Sequence, residues 1–132
     1  MIGRRIAFGT LVGAGAALAV GVVVSGTSAQ GEPASAATYP IDSGNRTCDV
    51  PQRHFDSGRT AFRVTNSGDD IAEVYLYGEK GGAFSRIVNE VENIGPGASA
   101  TMTVNLQPGQ YQIMCKPGMV DDNAVGVVIS VR

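Results

Sequence analysis

The stretch Leu106-Gln107-Pro108-Gly109-Gln110-Tyr111-Gln112-Ile113-Met114-Cys115-Lys116-Pro117-Gly118-Met119 reads as a turn, a strand and a loop that presents a cysteine and then a methionine. Pro108-Gly109 is turn chemistry: proline presets one backbone angle and glycine accepts conformations that other residues resist. Alternation beyond the turn puts Tyr111, Ile113 and Cys115 on one face of a strand and Gln110 and Gln112 on the other. A tyrosine directly after such a turn can return its hydroxyl to the turn backbone, a corner that recurs in β-sandwiches.

Working outward, the same period of two recurs with turn signals between the runs. Thr38 to Asp42 is a weak strand. Arg53 to Phe55 is a short one between Pro51 and the Asp56-Ser57-Gly58 turn. Thr60, Phe62 and Val64 face inward on the next, which Asn66-Ser67-Gly68-Asp69 ends. In Ile71 to Tyr77 the core set is Ala72, Val74 and Leu76, leaving Glu73, Tyr75 and Tyr77 outside. Phe84 to Ile94 is irregular. Met102, Val104 and Leu106 then point inward, as do Val125, Val127, Ile129 and Val131 on the last strand. No helical period of useful length and no internal repeat follow residue 37. Seven or eight strands with such spacing predict an all-β Greek-key β-sandwich.

Ahead of it, Arg4-Arg5 and an apolar run over residues 6–24 lead into small residues, with cleavage motifs ending at Ala29 and Ala36. That organisation is a signal peptide over residues 1–29, with an uncleaved membrane anchor helix through 6–24 as the alternative. Residues 30–37 read as a linker and 38–132 as the domain, which the leader places outside the cytoplasm, secreted, periplasmic or in the cell envelope. Setting aside Arg4 and Arg5, eight basic residues oppose twelve acidic ones, a net charge near −4. Such a surface gives no reason to expect nucleic acid as a partner.

An enzyme is not indicated. One histidine, His54, cannot supply a convincing Ser-His-Asp order, and there is no Gly-x-Ser-x-Gly, Cys-x-x-Cys or phosphate-cradling glycine loop. Two cysteines in an exported domain of this size are candidates for a staple. Bridging Cys48 to Cys115 would close a long loop, a constraint worth about 4 kcal/mol in the chain-entropy treatment.

A thiol at the end of a core strand followed by Lys-Pro-Gly-Met resembles the ligand loop of cupredoxins, whose blue-copper members use two histidines, a cysteine and a weak axial methionine. Here the loop after Cys115 has no histidine. From Cys48 to Val131 the chain is similar to the cupredoxin-like domain of EfeO-type iron-uptake proteins. Four matches carry the resemblance: Cys48-Asp49-Val50-Pro51 against Cys-Glu-Pro, Glu92-Asn93-Ile94-Gly95-Pro96-Gly97 against Glu-Asn-Ile-Ala-Pro-Gly, Leu106-Gln107-Pro108-Gly109-Gln110-Tyr111 against Leu-x-Pro-Gly-x-Tyr, and Cys115 at the second cysteine. The resemblance implies a cupredoxin-like sandwich that binds a metal ion, copper or iron, outside the cytoplasm. It also implies a membrane iron permease and a haem peroxidase as partners.

In that topology the loop bearing Cys48 and the end of the strand bearing Cys115 share one pole. The candidate metal ligands are therefore Cys48, Cys115, Met119 and the carboxylates Glu73, Glu90 and Glu92. Glu73 is the best match to the family's mid-strand acid, with Tyr75 where a second carboxylate would stand. Sulfur donors favour copper(I) and carboxylates favour harder ions. Two functions follow: an exported metal-binding module of an iron-uptake-type system, or a structural or interaction sandwich stapled by a Cys48–Cys115 disulfide and holding no metal.

Overall fold

The computed structural model describes residues 35–132. The leader, the anchor over 6–24 and most of the linker lie outside those residues. Among the described residues no helix is long and apolar enough to cross a membrane.

Two sheets face each other. One has four strands in the order β2-β1-β4-β7, built from β1 (Ala37–Ser43), β2 (Cys48–Asp49), β4 (Gly58–Asn66) and β7 (Ser99–Leu106). The other has five in the order β3-β9-β8-β5-β6, built from β3 (His54–Phe55), β5 (Ala72–Lys80), β6 (Ala83–Ile94), β8 (Gly109–Pro117) and β9 (Val125–Val131). A short 3-10 turn, Asp121–Asn123, separates β8 from β9. Seven strands are long and two have only two residues each, so the expected count of seven or eight holds for the long ones.

The inward sets are the expected ones. Phe62, Val64, Val74, Leu76, Met102, Leu106, Ile113 and Ile129 are all buried between the sheets. Each comes from every second position of its strand, which is why a period of two suffices to build the core. Tyr111 makes the corner: its hydroxyl donates to the Gln107 carbonyl at 2.8 Å and accepts from the Gln107 N–H at 3.1 Å.

The irregular segment is where expectation and structure part. Phe84 to Ile94 belongs to one twelve-residue strand, β6, paired with β5 at the sheet's edge. Its register slips between Ala72 and Val74, between Leu76 and Tyr77, and between Gly78 and Glu79. Each slip inserts an unpaired residue and reverses the inside-outside alternation. Asn93 takes a left-handed backbone, φ 56°, beside the first slip. A strand bulged this often, with most of its residues exposed, carries no clean period for a sequence to display.

Asn66 ties the end of β4 into this frame. It is 1 % exposed, and its side-chain amide donates to the carbonyls of Asp70 and Ile94, both at 2.7 Å. Its side-chain oxygen accepts from the Gly68 N–H at 2.9 Å. One side chain thus satisfies three backbone groups around two crossings of the chain, which would otherwise be left dry.

Candidate functional site

Cys48 opens β2 and Cys115 lies near the end of β8, and each faces inward. Their sulfurs are bonded, with Cα atoms 5.5 Å apart and the two residues 67 positions apart in sequence. Cys115 is fully buried and Cys48 is 8 % exposed. The bond joins the four-stranded sheet to the five-stranded one. Both thiols are consumed, and the pole presents no thiolate ligand while the bond stands. Ser43, the register partner of Cys48, keeps its hydroxyl buried without a hydrogen-bond partner among the described residues.

The carboxylates lie elsewhere. Val74 pairs with Cys115 and Glu73 pairs with Lys116, so consecutive residues of β5 go to opposite sides of the sheet. Val74 enters the core. Glu73 lies on the outer face with Tyr75, and is 7 % exposed. Glu90 is the register partner of Tyr75 and occupies the same face. The Tyr75 hydroxyl lies 3.3 Å from a Glu73 oxygen and 3.2 Å from a Glu92 oxygen, donating toward both. Two carboxylates therefore converge on one phenol, with Glu90 beside them on the same face. The structure brings Glu73, Glu90 and Glu92 together and separates them from the cysteines, so the six candidates do not form a single centre.

The cation in this neighbourhood is Lys116. Its ammonium is 3.8 Å from Glu73 and 2.9 Å from Asp121, and it sits 4.5 Å from the centre of the Tyr75 ring. The hydrogen bond to Asp121 holds the Lys116 pKa above its ordinary value, against desolvation, with Tyr77 and Glu73 adding to the effect. Tyr75 is raised well above the usual phenol range, first by desolvation and then by the negative charge of Glu73, Glu90 and Glu92. Tyr77 stacks on Tyr75 with centroids 5.4 Å apart, completing an acidic and aromatic surface.

Met119 follows Gly118 at the sulfur pole. Its backbone is left-handed, φ 56°, and its side chain is 38 % exposed beside exposed Ile71 and Val120. His54 is remote from all of these: it pairs with Ser130 near the far end of β9, whereas Cys115 pairs with Val125 at its start. Its Nδ1 shares a 2.7 Å hydrogen bond with Ser130 Oγ.

A blue-copper ligand set does not fit these residues: the thiols are bonded to each other and the histidine is at the opposite end. Among the described residues no three or more His, Cys, Asp or Glu side chains gather in a way that would hold a metal ion. What does converge is a pair of carboxylates on one phenolic oxygen, a donor set suited to hard cations. Tyr75 and Lys116 are the members that reading the sequence for ligands missed; the outward alternation of β5 and β8 placed both on this face, but nothing local showed them touching.

Residues 15–130 match the cupredoxin-like domain family. The iron uptake system component EfeO of Escherichia coli (strain K12) is 35 % identical over 71 residues, and that of Shigella flexneri is equally similar. Each match covers 54 % of this chain and 18 % of the relative, so the shared segment is a small part of the relative's length. Among solved structures, a reduced auracyanin from the photosynthetic bacterium Roseiflexus castenholzii superposes with a TM-score of 0.59 at 18 % identity, covering 74 % of this chain and 99 % of that one. Auracyanin A of Chloroflexus aurantiacus, a blue copper protein, gives 0.54 at 12 % identity over 73 % of this chain and all of its own. At such identities the likeness is one of fold alone. With a family match through nearly the whole chain and the facing sheets to go with it, this chain belongs to the cupredoxin-like domain family.

Proposed function

We propose that this domain is an extracytoplasmic metal-handling module of an iron-uptake-type system, and that it takes a hard cation of the ferric class on the outer face of the five-stranded sheet. Glu73 and Glu92 are the ligands, Glu90 supplies further negative charge, and the Cys48–Cys115 bond is the staple that ties β8, the neighbour of the strand carrying Glu73, to the facing sheet. The observation that carries this reading is the Tyr75 hydroxyl held between two carboxylates. Like charges gathered this closely repel unless a cation sits among them. Lys116 answers that need only partly, being nearer to Asp121 than to Glu73. The similarity to EfeO supports iron as the ion, and transfer to a membrane permease is the step that the family resemblance adds.

The test is a titration with iron(III) delivered from a weak chelator, read by metal retained after desalting. The native protein is expected to retain the ion, and the Glu73→Gln/Glu92→Gln double variant to bind at least about tenfold more weakly. Equal retention by the double variant would remove the proposed ligands. Retention of copper(I) only after reduction of the disulfide would move the site to the thiols. The second reading is a stapled interaction sandwich without metal, favoured by the burial of the sulfur–sulfur bond; it stands if neither ion is retained.

A further inference from the structure

The end of the sandwich away from the disulfide carries a cavity of about 330 Å3. It lies where β1 and β4 begin and β9 ends, a full strand length from Cys115. Tyr39 and Phe55 form its aromatic wall, packed edge to face with centroids 4.9 Å apart. Phe55 is itself braced by Phe62 at 5.5 Å, so the wall belongs to the core.

Its basic side chains are Arg59, Arg132 and His54, set among small and polar residues such as Gln52, Ser57 and Thr60. His54, Arg59 and Arg132 face a single acid, Asp56. Asp56 is committed, accepting from Arg132 Nε at 3.0 Å. Arg59 has no ion pair among the described residues. His54 uses Nδ1 toward Ser130, and its Nε2 has no partner among the described residues. The Gln52 amide donates to the His54 carbonyl at 2.9 Å, closing that side. An aromatic wall with one uncommitted guanidinium and a free imidazole nitrogen beside it is the make-up of a small-molecule site, and this volume stands at the lower end of the range for such sites.

We infer that this cavity binds a small organic carboxylate with a flat, apolar body. The ring lies against Tyr39 and Phe55, where burial of apolar area supplies the attraction. The carboxylate meets Arg59, whose planar guanidinium matches it with two parallel hydrogen bonds, and His54 offers a second donor. Asp56 sets the selectivity: it neutralises Arg132 and repels a second negative charge, so a monocarboxylate is favoured over a compact dianion that leaves the aromatic wall uncovered.

The full chain, labelled with 15N, is titrated with benzoate and separately with inorganic phosphate. Saturable shifts at the amides of Tyr39, His54 and Arg59 are expected with benzoate, with affinity at least about tenfold above that for phosphate. Arg59→Gln, at an exposed position, should lower benzoate affinity about tenfold, whereas Arg86→Gln on the distant edge strand should not change it. Phosphate binding as tight as benzoate would overturn the aromatic carboxylate assignment. Absence of saturable shifts, or an Arg59→Gln variant that binds unchanged, would overturn the site itself.

Discussion

The two faces of the five-stranded sheet, made by the same strands, do opposite kinds of work. Inward, Val74, Leu76, Ile113 and Cys115 form a sealed apolar layer closed by a covalent bond. Outward, Glu73, Tyr75, Tyr77 and Lys116 form a charged and aromatic layer that leaves negative charge incompletely balanced. Cys115 and Lys116 are neighbours in sequence, yet one fixes the fold and the other serves the surface. The inner face tolerates little because each of its atoms is already partnered. The outer face is held by polar contacts that a new partner can replace, such as the 3.8 Å approach of Lys116 to Glu73. That asymmetry is what allows a family to keep one sandwich and vary its chemistry.

The widest gap between the faces should appear when the staple is removed. Replacing both cysteines, Cys48→Ala with Cys115→Ala, is expected to lower unfolding stability by about 4 kcal/mol, the entropy released to the unfolded chain by opening so long a loop. Urea denaturation of the native and substituted proteins measures it. A loss below about 1 kcal/mol would show that packing alone holds the two sheets together, and the inner face would lose its distinction.

Asn66→Ala comes next. The native amide serves two carbonyls, that of Ile94 buried and that of Asp70 partly so, and its removal leaves the Ile94 group unsatisfied, with an expected cost of about 2 kcal/mol. The carbonyls involved belong to Asp70 and Ile94, so amide exchange should accelerate first in the neighbouring strand ends. A smaller cost is expected from Tyr111→Phe, about 1 kcal/mol, because the lost hydroxyl joins a turn whose groups water can reach. If Tyr111→Phe proved more damaging than Asn66→Ala, the corner and not the crossing would be the principal polar anchor.

The inner face was legible from the sequence, and the outer face was legible only in part. Phe62, Val74, Met102, Ile113 and Ile129 announced themselves because burial selects apolar residues at every second position, a local rule that the chain displays directly. Glu90 and Glu92 share a face, as their spacing indicates, but their meeting with Glu73 and Tyr75 depends on a β5–β6 register that slips three times. No local pattern encodes such a slip. Asn66 was invisible for a related reason: an asparagine in Asn-Ser-Gly-Asp reads as a turn residue, whereas one of its bonds spans 28 positions to Ile94. The two cysteines gave the reverse case. Their meeting followed from the resemblance, but sequence left ligand and disulfide both open, and the separation of the carboxylates from the thiols came only with the sheet's two sides.

The smallest expected effect belongs to the outer face and depends on pH. Tyr75 ionises at higher pH in the folded protein than an ordinary phenol, because desolvation and then the charges of Glu73, Glu90 and Glu92 disfavour phenolate. A group whose folded value is raised contributes stability that is fully present below the unfolded value, about 10 for tyrosine, and is lost as pH rises through the folded value. Lys116 is raised as well, chiefly by its hydrogen bond to Asp121, so its contribution fades in the same direction. Tyr75→Phe should therefore change stability by less than about 1 kcal/mol near pH 8, where the phenol is neutral in both states. Toward about pH 11 the native protein should lose stability more steeply than Tyr75→Phe, with the slope that remains in the variant including the part due to Lys116. Parallel decline of the two proteins would mean that the three carboxylates do not act on Tyr75, and the outer face would then be an ordinary solvated surface with no stored demand for a cation.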